Sequence, residues 1–221
     1  IAKLLGKKVV VFYRGWKLPT YNKIANSSFF RRVFNNVFQK NTLQVVLASS
    51  FKKDLLNLNP KRLNEIMVTT TAIDKSQIVK SEAHTEAKPI KVLFLGRIQD
   101  LKGIEELVDA IGQLKIKEKL NDFKFSIVGH ENKTGYTDSL KQKLKSYNVT
   151  SEKAAFLGRI TGQEKYQLYA IHDIYVLPSY TEGCPNSLLE ALASGLFCIT
   201  TRVGALSDLI SPKANGLFVK T

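Results

Sequence analysis

The side chains best suited to chemistry in this sequence are two carboxylates, Glu182 and Glu190, and two cations, Arg97 and Lys102. Gly183, Cys184, Pro185, Asn186 and Ser187 lie between the carboxylates and lead into the helical pattern Leu188, Leu189, Leu192. A carboxylate accepts hydrogen bonds from paired hydroxyls, and the amides of Cys184, Asn186 and Ser187, at the start of a helix, suit an anion. An Arg fork and a Lys point charge can both reach phosphate oxygens. Plainer readings stand beside these. Ser187-x-x-Glu190 has capping-box spacing, and loop groups such as Glu182, Arg97 and Lys102 are commonly solvated. Cys184 reads as a small packed residue rather than a nucleophile.

The elements that must position these groups alternate between strand and helix. Apolar runs predict strands at 90–95, 123–128, 154–157, 174–177, 197–200 and 217–219, and helical spacing predicts helices at 103–116, 136–147, 162–171, 186–194 and 205–210. This alternation means a parallel sheet with helices on both faces. The Glu182 loop then follows strand 174–177 at its carboxyl end, where open α/β sheets bind ligands. Thr161 to Glu164 has capping-box spacing for the helix that starts there.

Upstream, strands at 7–13, 43–47 and 65–69 alternate with a helix carrying Phe29, Phe30, Val33, Phe34, Val37 and Phe38, and with a short helix at 50–56. This is a second, shorter βαβαβ unit, whose Val9 to Phe12 read as a buried strand. Residues 71–89 lose hydrophobic density and end at Pro89, which places a boundary near Ala87, between 1–87 and 88–221.

With 221 residues, 44% hydrophobic and 24% charged, the chain is long and apolar enough for one or two folded domains and is not disordered. No run approaches the ~18 apolar residues of a membrane span. Ile1 in first position, with no leader after it, reads as a piece of something longer. Cys184 and Cys198 form neither a disulfide framework nor a metal-ligand spacing, which favours a reducing, cytoplasmic setting.

The net charge of +14 is uneven: residues 1–85 hold 15 Lys and Arg against 4 Asp and Glu, residues 86–221 hold 18 against 15, and the first acid is Asp54. The basic residues of 1–53 imply an anionic partner, a membrane surface or a phosphate-bearing acceptor. Nucleic acid is disfavoured because no recognised binding motif accompanies the charge. Lys23, Arg31 and Arg32 lie off the Phe and Val stripe. That helix either packs its stripe on the sheet or rests on an anionic membrane.

Several segments together carry a family resemblance. Glu182 and Glu190 followed by Ala-Leu-Ala-Ser-Gly, Phe94-Leu95-Gly96-Arg97 with Lys102-Gly103, Phe156-Leu157-Gly158-Arg159, and Val203-Gly204 through Asn215-Gly216-Leu217 resemble motifs of the retaining glycosyltransferases of group 1 (family 4). The resemblance implies an α/β, GT-B-like fold of two Rossmann-like halves with parallel sheets, incomplete at both ends. The acceptor-side half would be the truncated 1–87, and the donor-binding half 88–221, lacking its closing helices.

The resemblance also implies an activity: transfer of a hexose from a nucleotide diphosphate-sugar to a saccharide or lipid-linked acceptor, with retention of configuration. Such work belongs to cell-surface glycan or polysaccharide assembly, in the cytoplasm or on the cytoplasmic face of a membrane. By resemblance Glu182 engages the hexose, Glu190 the ribose hydroxyls, Arg97 and Lys102 the diphosphate, and Arg159 with Ile160 the nucleobase. Gly96, Gly183, Cys184, Pro185, Asn186 and Ser187 complete the donor site. No cofactor or metal is expected, because no Asp-x-Asp pair occurs and cations with backbone amides can stabilise a leaving diphosphate.

Three features depart from the family pattern. Tyr13 to Trp16 stands where a histidine is common, Asp208 replaces a usual glutamate, and Ala205 a frequent glycine. Two other readings remain: a nucleotide-sugar-binding fragment without turnover, and a GT-B nucleotide-sugar epimerase. A glycosidase pair is disfavoured because neither glutamate has an evident means of raising its pKa. A dinucleotide oxidoreductase is set aside for want of Gly-x-Gly-x-x-Gly after a strand.

Overall fold

The computed structural model describes residues 7–15, 18–40, 42–80 and 89–220. Trp16, His84 and the boundary expected near Ala87 lie outside the described residues. The chain forms two units. The first gathers the described residues up to Thr71 with Glu182–Pro185 and Gly204–Leu209; the second gathers the rest.

The first unit is built on three parallel strands in the order β1 (Val9–Tyr13), β2 (Thr42–Val46) and β3 (Ile66–Val68). Its helices are α1 (Leu18–Ala25), α2 (Ser28–Phe34), which runs into a π-helical turn at Asn35–Gln39, and α3 (Ser49–Leu58), with a further short helix at Leu206–Leu209 where 205–210 was expected. Tyr13 pairs with Val46 and Gln44 with Ile66, so Tyr13, Val46 and Ile66 share the face on which Phe34, Leu55 and Leu58 close a core. On the opposite face Val10 pairs with Leu43, and Phe12 with Val45 and through it with Met67. There Val10 is 60% exposed, Phe12 49% and Met67 53%. Among the described residues, the strand expected to be buried throughout is thus covered on one side only, because alternate residues face opposite ways and the described helices close one face.

The Phe and Val stripe also departs from expectation. It runs through α2 into the π-helical turn, and of its six residues only Phe34 is buried. The π turn shifts the helical phase for Val37 and Phe38, whereas Phe29, Phe30 and Val33 stand exposed within regular α2.

The second unit is a six-stranded parallel sheet. Its strands are β4 (Ile90–Leu95), β5 (Phe123–Val128), β6 (Ala154–Gly158), β7 (Ile174–Leu177), β8 (Phe197–Thr200) and β9 (Gly216–Phe218), and its order is β6-β5-β4-β7-β8-β9. The helices are α4 (Ile104–Ile116), α5 (Tyr136–Ser146), α6 (Gly162–Ala170) and α7 (Asn186–Ser194). These spans follow the expected ones closely. Central β4 buries Val92, Leu93 and Phe94 in a row, as a strand covered on both faces requires. Helix α4 buries Ile104, Leu107, Val108 and Ile111 at helical spacing, with Glu105 and Glu106 in its first turn and Lys115 in its last, as the macrodipole favours.

Helix α7 ends in a Schellman motif. Gly195, at φ 92°, donates to Leu192 O, and Leu196 donates to Ala191 O. Thr161 does precede α6, but its side chain makes no capping bond. The expected box therefore marks where the helix begins without supplying its hydrogen bonds.

Candidate functional site

The strand order of the second unit reverses between β4 and β7, which leaves a crevice beyond their carboxyl ends. Gly96 and Arg97 follow β4 there. Gly96 N donates to Val128 O at 3.0 Å, and Gly129 packs so tightly on Gly96 O that a Cβ on Gly129 would collide with it. Arg97 is exposed. A 3₁₀ turn at Asp100–Lys102 then leads to Gly103, left-handed at φ 67°, before α4 begins. Lys102 is half-buried in that turn. Tyr180 N donates to Leu101 O at 3.0 Å, so the loop after β4 is bonded to the loop after β7.

On the far side of the crevice stands the start of α7. Asn186 is its first residue, and Ser187 Oγ lies 2.7 Å from the hydroxyl of Tyr175, a fully buried residue of β7. The same hydroxyl lies 3.1 Å from Leu95 O at the end of β4. Tyr175 therefore links both strand ends at the point of reversal to the first turn of α7.

Glu190 is 5% exposed. Its Oε1 accepts from Lys165 Nζ at 2.7 Å and from the Tyr166 hydroxyl at 3.4 Å, and its Oε2 accepts from the Tyr169 hydroxyl at 3.0 Å. The capping-box alternative for Glu190 is thereby replaced: the carboxylate turns to α6 and not to the amides of its own helix. Burial first, then the neighbouring Tyr175 and Glu190, raise the Tyr169 phenol above its ordinary pKa, so it remains a proton donor. The Tyr169 ring lies 6.5 Å from that of Tyr166 and 6.3 Å from that of Tyr175, so the three rings pack in series.

Arg159 and Ile160 follow β6. Gly158, at φ 70°, turns the chain there, Arg159 is exposed and Ile160 half-buried. The remaining candidates, Glu182, Gly183, Cys184 and Pro185, belong to the first unit. A Cβ on Gly183 would collide with Arg14 O, and one on Gly204 with Glu182 O, while Ala205 N donates to Gly183 O at 2.8 Å. Cys184 is buried, and Thr71 Oγ1 lies 3.4 Å from its carbonyl oxygen. The packed-residue reading of Cys184 fits this environment. Glu182 is half-buried.

Among the described residues no cluster of His, Cys, Asp and Glu is arranged to hold a metal ion. Cys198 is fully buried in β8, and burial pushes its thiol up to about 12. The second unit thus brings Gly96, Arg97, Lys102, Ser187 and Glu190 onto neighbouring elements at one end of its sheet. Sequence reasoning missed Lys165, Tyr166, Tyr169 and Tyr175. The first three sit at i, i+1 and i+4 on α6, a spacing that could have suggested one polar face.

A parallel sheet whose order reverses between β4 and β7, with a helix starting beside the reversal, is a Rossmann-like unit. The chain belongs to the glycosyl transferases group 1 family, whose model matches residues 89–221. It is 34% identical over 128 residues to an uncharacterized glycosyltransferase of Methanocaldococcus jannaschii, a match that covers 58% of this chain and 31% of that protein. It is 24% identical over 230 residues to the sulfoquinovosyl transferase SQD2 of Arabidopsis thaliana, covering 98% of this chain and 42% of that one. The chain thus spans well under half the length of these relatives. The crystal structure of Anabaena HepE in complex with UDP superposes with a TM-score of 0.80 at 18% identity, over 99% of this chain and 60% of HepE. That likeness concerns the fold, which is α/β and GT-B-like.

Proposed function

We propose that the protein represented by this chain transfers a hexose from a nucleotide diphosphate-sugar to a hydroxyl of a saccharide or lipid-linked acceptor, with retention of configuration. Residues 88–221 form the donor half in this reading, and 1–87 part of the acceptor half. The observation that carries it is the buried Glu190 carboxylate on α7, a helix whose first turn is bonded through Ser187 to Tyr175 at the β4–β7 reversal; in this reading the carboxylate accepts from a ribose diol. Membership of the glycosyl transferases group 1 supports the reaction class. Structures of HepE in complex with UDP and with UDP-glucose support a nucleotide-sugar as donor.

In the proposed reaction the anomeric carbon leaves the β-phosphate oxygen and bonds the acceptor oxygen on the same face, and the acceptor's proton passes to the departing phosphate. Arg97, Lys102 and the amides opening α7, with Gly96, Asn186 and Ser187 beside them, stabilise the diphosphate charge, so no metal is assigned a role. Glu182, with Gly183 to Pro185, orients the hexose, and Arg159 with Ile160 meets the nucleobase. Peripheral contact with an anionic membrane on its cytoplasmic side belongs to the same reading. It is supported by the exposure of Phe29, Phe30, Val33, Val37 and Phe38 beside Lys23, Arg31 and Arg32.

The test is calorimetric titration of UDP, GDP and ADP, without metal and then with magnesium, into this chain and its Arg97→Ala and Glu190→Ala variants. Metal-independent binding of one diphosphate, weakened by both substitutions, is the expected result. Binding that requires magnesium and ignores Arg97 would remove the donor-site assignment. Donor consumed by the longer protein with no acceptor present would turn the reading to epimerisation.

A further inference from the structure

The surroundings of Glu190 carry an inference that rests on the donor-site reading and goes beyond it. A carboxylate has about four lone-pair positions, two on each oxygen. In Glu190 one position on Oε1 is taken by Lys165 Nζ at 2.7 Å and one on Oε2 by the Tyr169 hydroxyl at 3.0 Å. The third donor, the Tyr166 hydroxyl at 3.4 Å from Oε1, is beyond the usual 2.5–3.0 Å range of an O–H···O bond and yields readily to a better one. This count leaves one position on Oε2, and one on Oε1 that only the long Tyr166 contact holds. Two adjacent acceptor positions, one per oxygen, are what a vicinal cis-diol requires.

Neither of the strong donors is loosely held. Lys165 Nζ also lies 4.3 Å from the centroid of the Tyr166 ring, and its side chain is 21% exposed against 7% for that of Glu190. Tyr169 is fully buried. An ion pair this enclosed is a poor source of net stability, but its geometry is well defined and loss of one partner is felt by the other. We propose that Lys165 and Tyr169 are positioning residues that hold the Glu190 carboxylate for a ribose cis-diol, and so make the site select ribonucleoside over 2′-deoxyribonucleoside diphosphates.

The experiment titrates the nucleoside diphosphate that this chain binds, and its 2′-deoxy analogue, into wild type, Lys165→Met, Lys165→Arg, Tyr169→Phe and Glu190→Gln, with thermal unfolding of each variant. The wild type is expected to prefer the ribose form about tenfold or more, the scale of a hydrogen bond to a charged group. Lys165→Met and Tyr169→Phe should each bring that preference to within about threefold by weakening the ribose form alone, and Lys165→Arg should restore it. A purely structural role would weaken both nucleotides equally. Equal weakening, or a preference that survives in Lys165→Met and in Tyr169→Phe while Glu190→Gln abolishes it, overturns the positioning role and leaves the donor site standing. A preference that survives in Glu190→Gln, or no binding of UDP, GDP or ADP at all, overturns the donor-site reading and this inference with it. Should Lys165→Met fail to fold, Tyr169→Phe and Lys165→Arg decide between the same outcomes.

Discussion

Gly103 stands so close to Pro178 that a Cβ on it would collide with the Pro178 carbonyl oxygen. Gly103 closes the turn carrying Lys102, and Pro178 opens the loop that leads from β7 towards α7. The close approach, together with the Tyr180 N to Leu101 O bond, fixes the two loops that flank the switch point to each other by backbone contact. The placing of Lys102 thus depends on a residue with no side chain.

Gly103→Ala is accordingly expected to be costly on two counts, left-handed strain and backbone displacement, together about 3 kcal/mol or more. At roughly 2–4 °C per kcal/mol this lowers the melting temperature by about 6 °C or more. Gly135 is the control. It is also left-handed, at φ 81°, but among the described residues nothing lies within 4 Å of its Cβ position, so Gly135→Ala should cost only about 1 kcal/mol. Equal losses in the two variants would show that strain alone, and not the approach to Pro178, matters at Gly103.

Arg97→Ala should leave the melting temperature nearly unchanged, within about 0.5 kcal/mol, because the side chain is exposed. Its effect belongs to the ligand: a weakening of nucleoside diphosphate binding by about 10- to 100-fold, as loss of a charge-assisted contact implies. Arg97→Lys should recover only part of it, since a point charge does not reproduce a bidentate fork. Calorimetry that gave equal affinity for all three forms would take Arg97 out of the site.

Glu131 supplies a pH signature. Its carboxylate accepts from Thr137 N at 2.7 Å and Gly135 N at 3.0 Å at the start of α5, and these amides, Thr137 first, hold it below the usual carboxylate range. A carboxylate lowered on folding contributes stability fully above its unfolded value of about 4.3, and loses it as pH falls through the lower folded value. Glu131→Gln should therefore melt below wild type at neutral pH, with the gap closing as pH drops below about 4. Thermal unfolding over a pH series reads this directly. A gap independent of pH would mean that the carboxylate's charge is not what caps α5.

What could be read before the structure was strongest where one local signal decides the outcome. The run Val92, Leu93, Phe94 needs cover on both faces, and the Leu188, Leu189, Leu192 pattern with Gly195 at its end has few foldings other than α7. The Phe29 to Phe38 stripe was misleading because periodicity reports that a face exists, not what covers it or whether a π turn interrupts it. Glu190 shows the same limit in one residue. Its spacing from Ser187 suits a capping box, and only packing against α6 reveals that it turns to Lys165 and Tyr169, at least 21 positions away in sequence. Contacts of that separation leave no trace in spacing. Of the site, Gly96, Arg97, Lys102 and Glu190 were legible as types suited to phosphate and hydroxyls, whereas the residues that hold Glu190 were not.

The exposed aromatic surface of the first unit gives the last prediction. No acid precedes Asp54, and Phe29 is 68% exposed and Val37 54%, with Arg31 and Arg32 exposed in the same helix as Phe29. An apolar surface beside exposed cations binds anionic bilayers by two additive contributions. These are about 1 kcal/mol per Lys or Arg near the surface and up to about 1.5–3 kcal/mol for a fully buried large apolar side chain. Sedimentation with vesicles of mixed anionic and zwitterionic phospholipid should therefore show binding that added salt weakens. Phe29→Ser should reduce it about tenfold without lowering the melting temperature, since that ring is not in the core. Arg31→Gln with Arg32→Gln should reduce both the binding and its salt dependence. Equal partition onto purely zwitterionic vesicles would remove the electrostatic half of the argument. If Phe29→Ser instead destabilised the fold, the ring would have to be assigned to packing, and the case for a membrane contact would rest on charge alone.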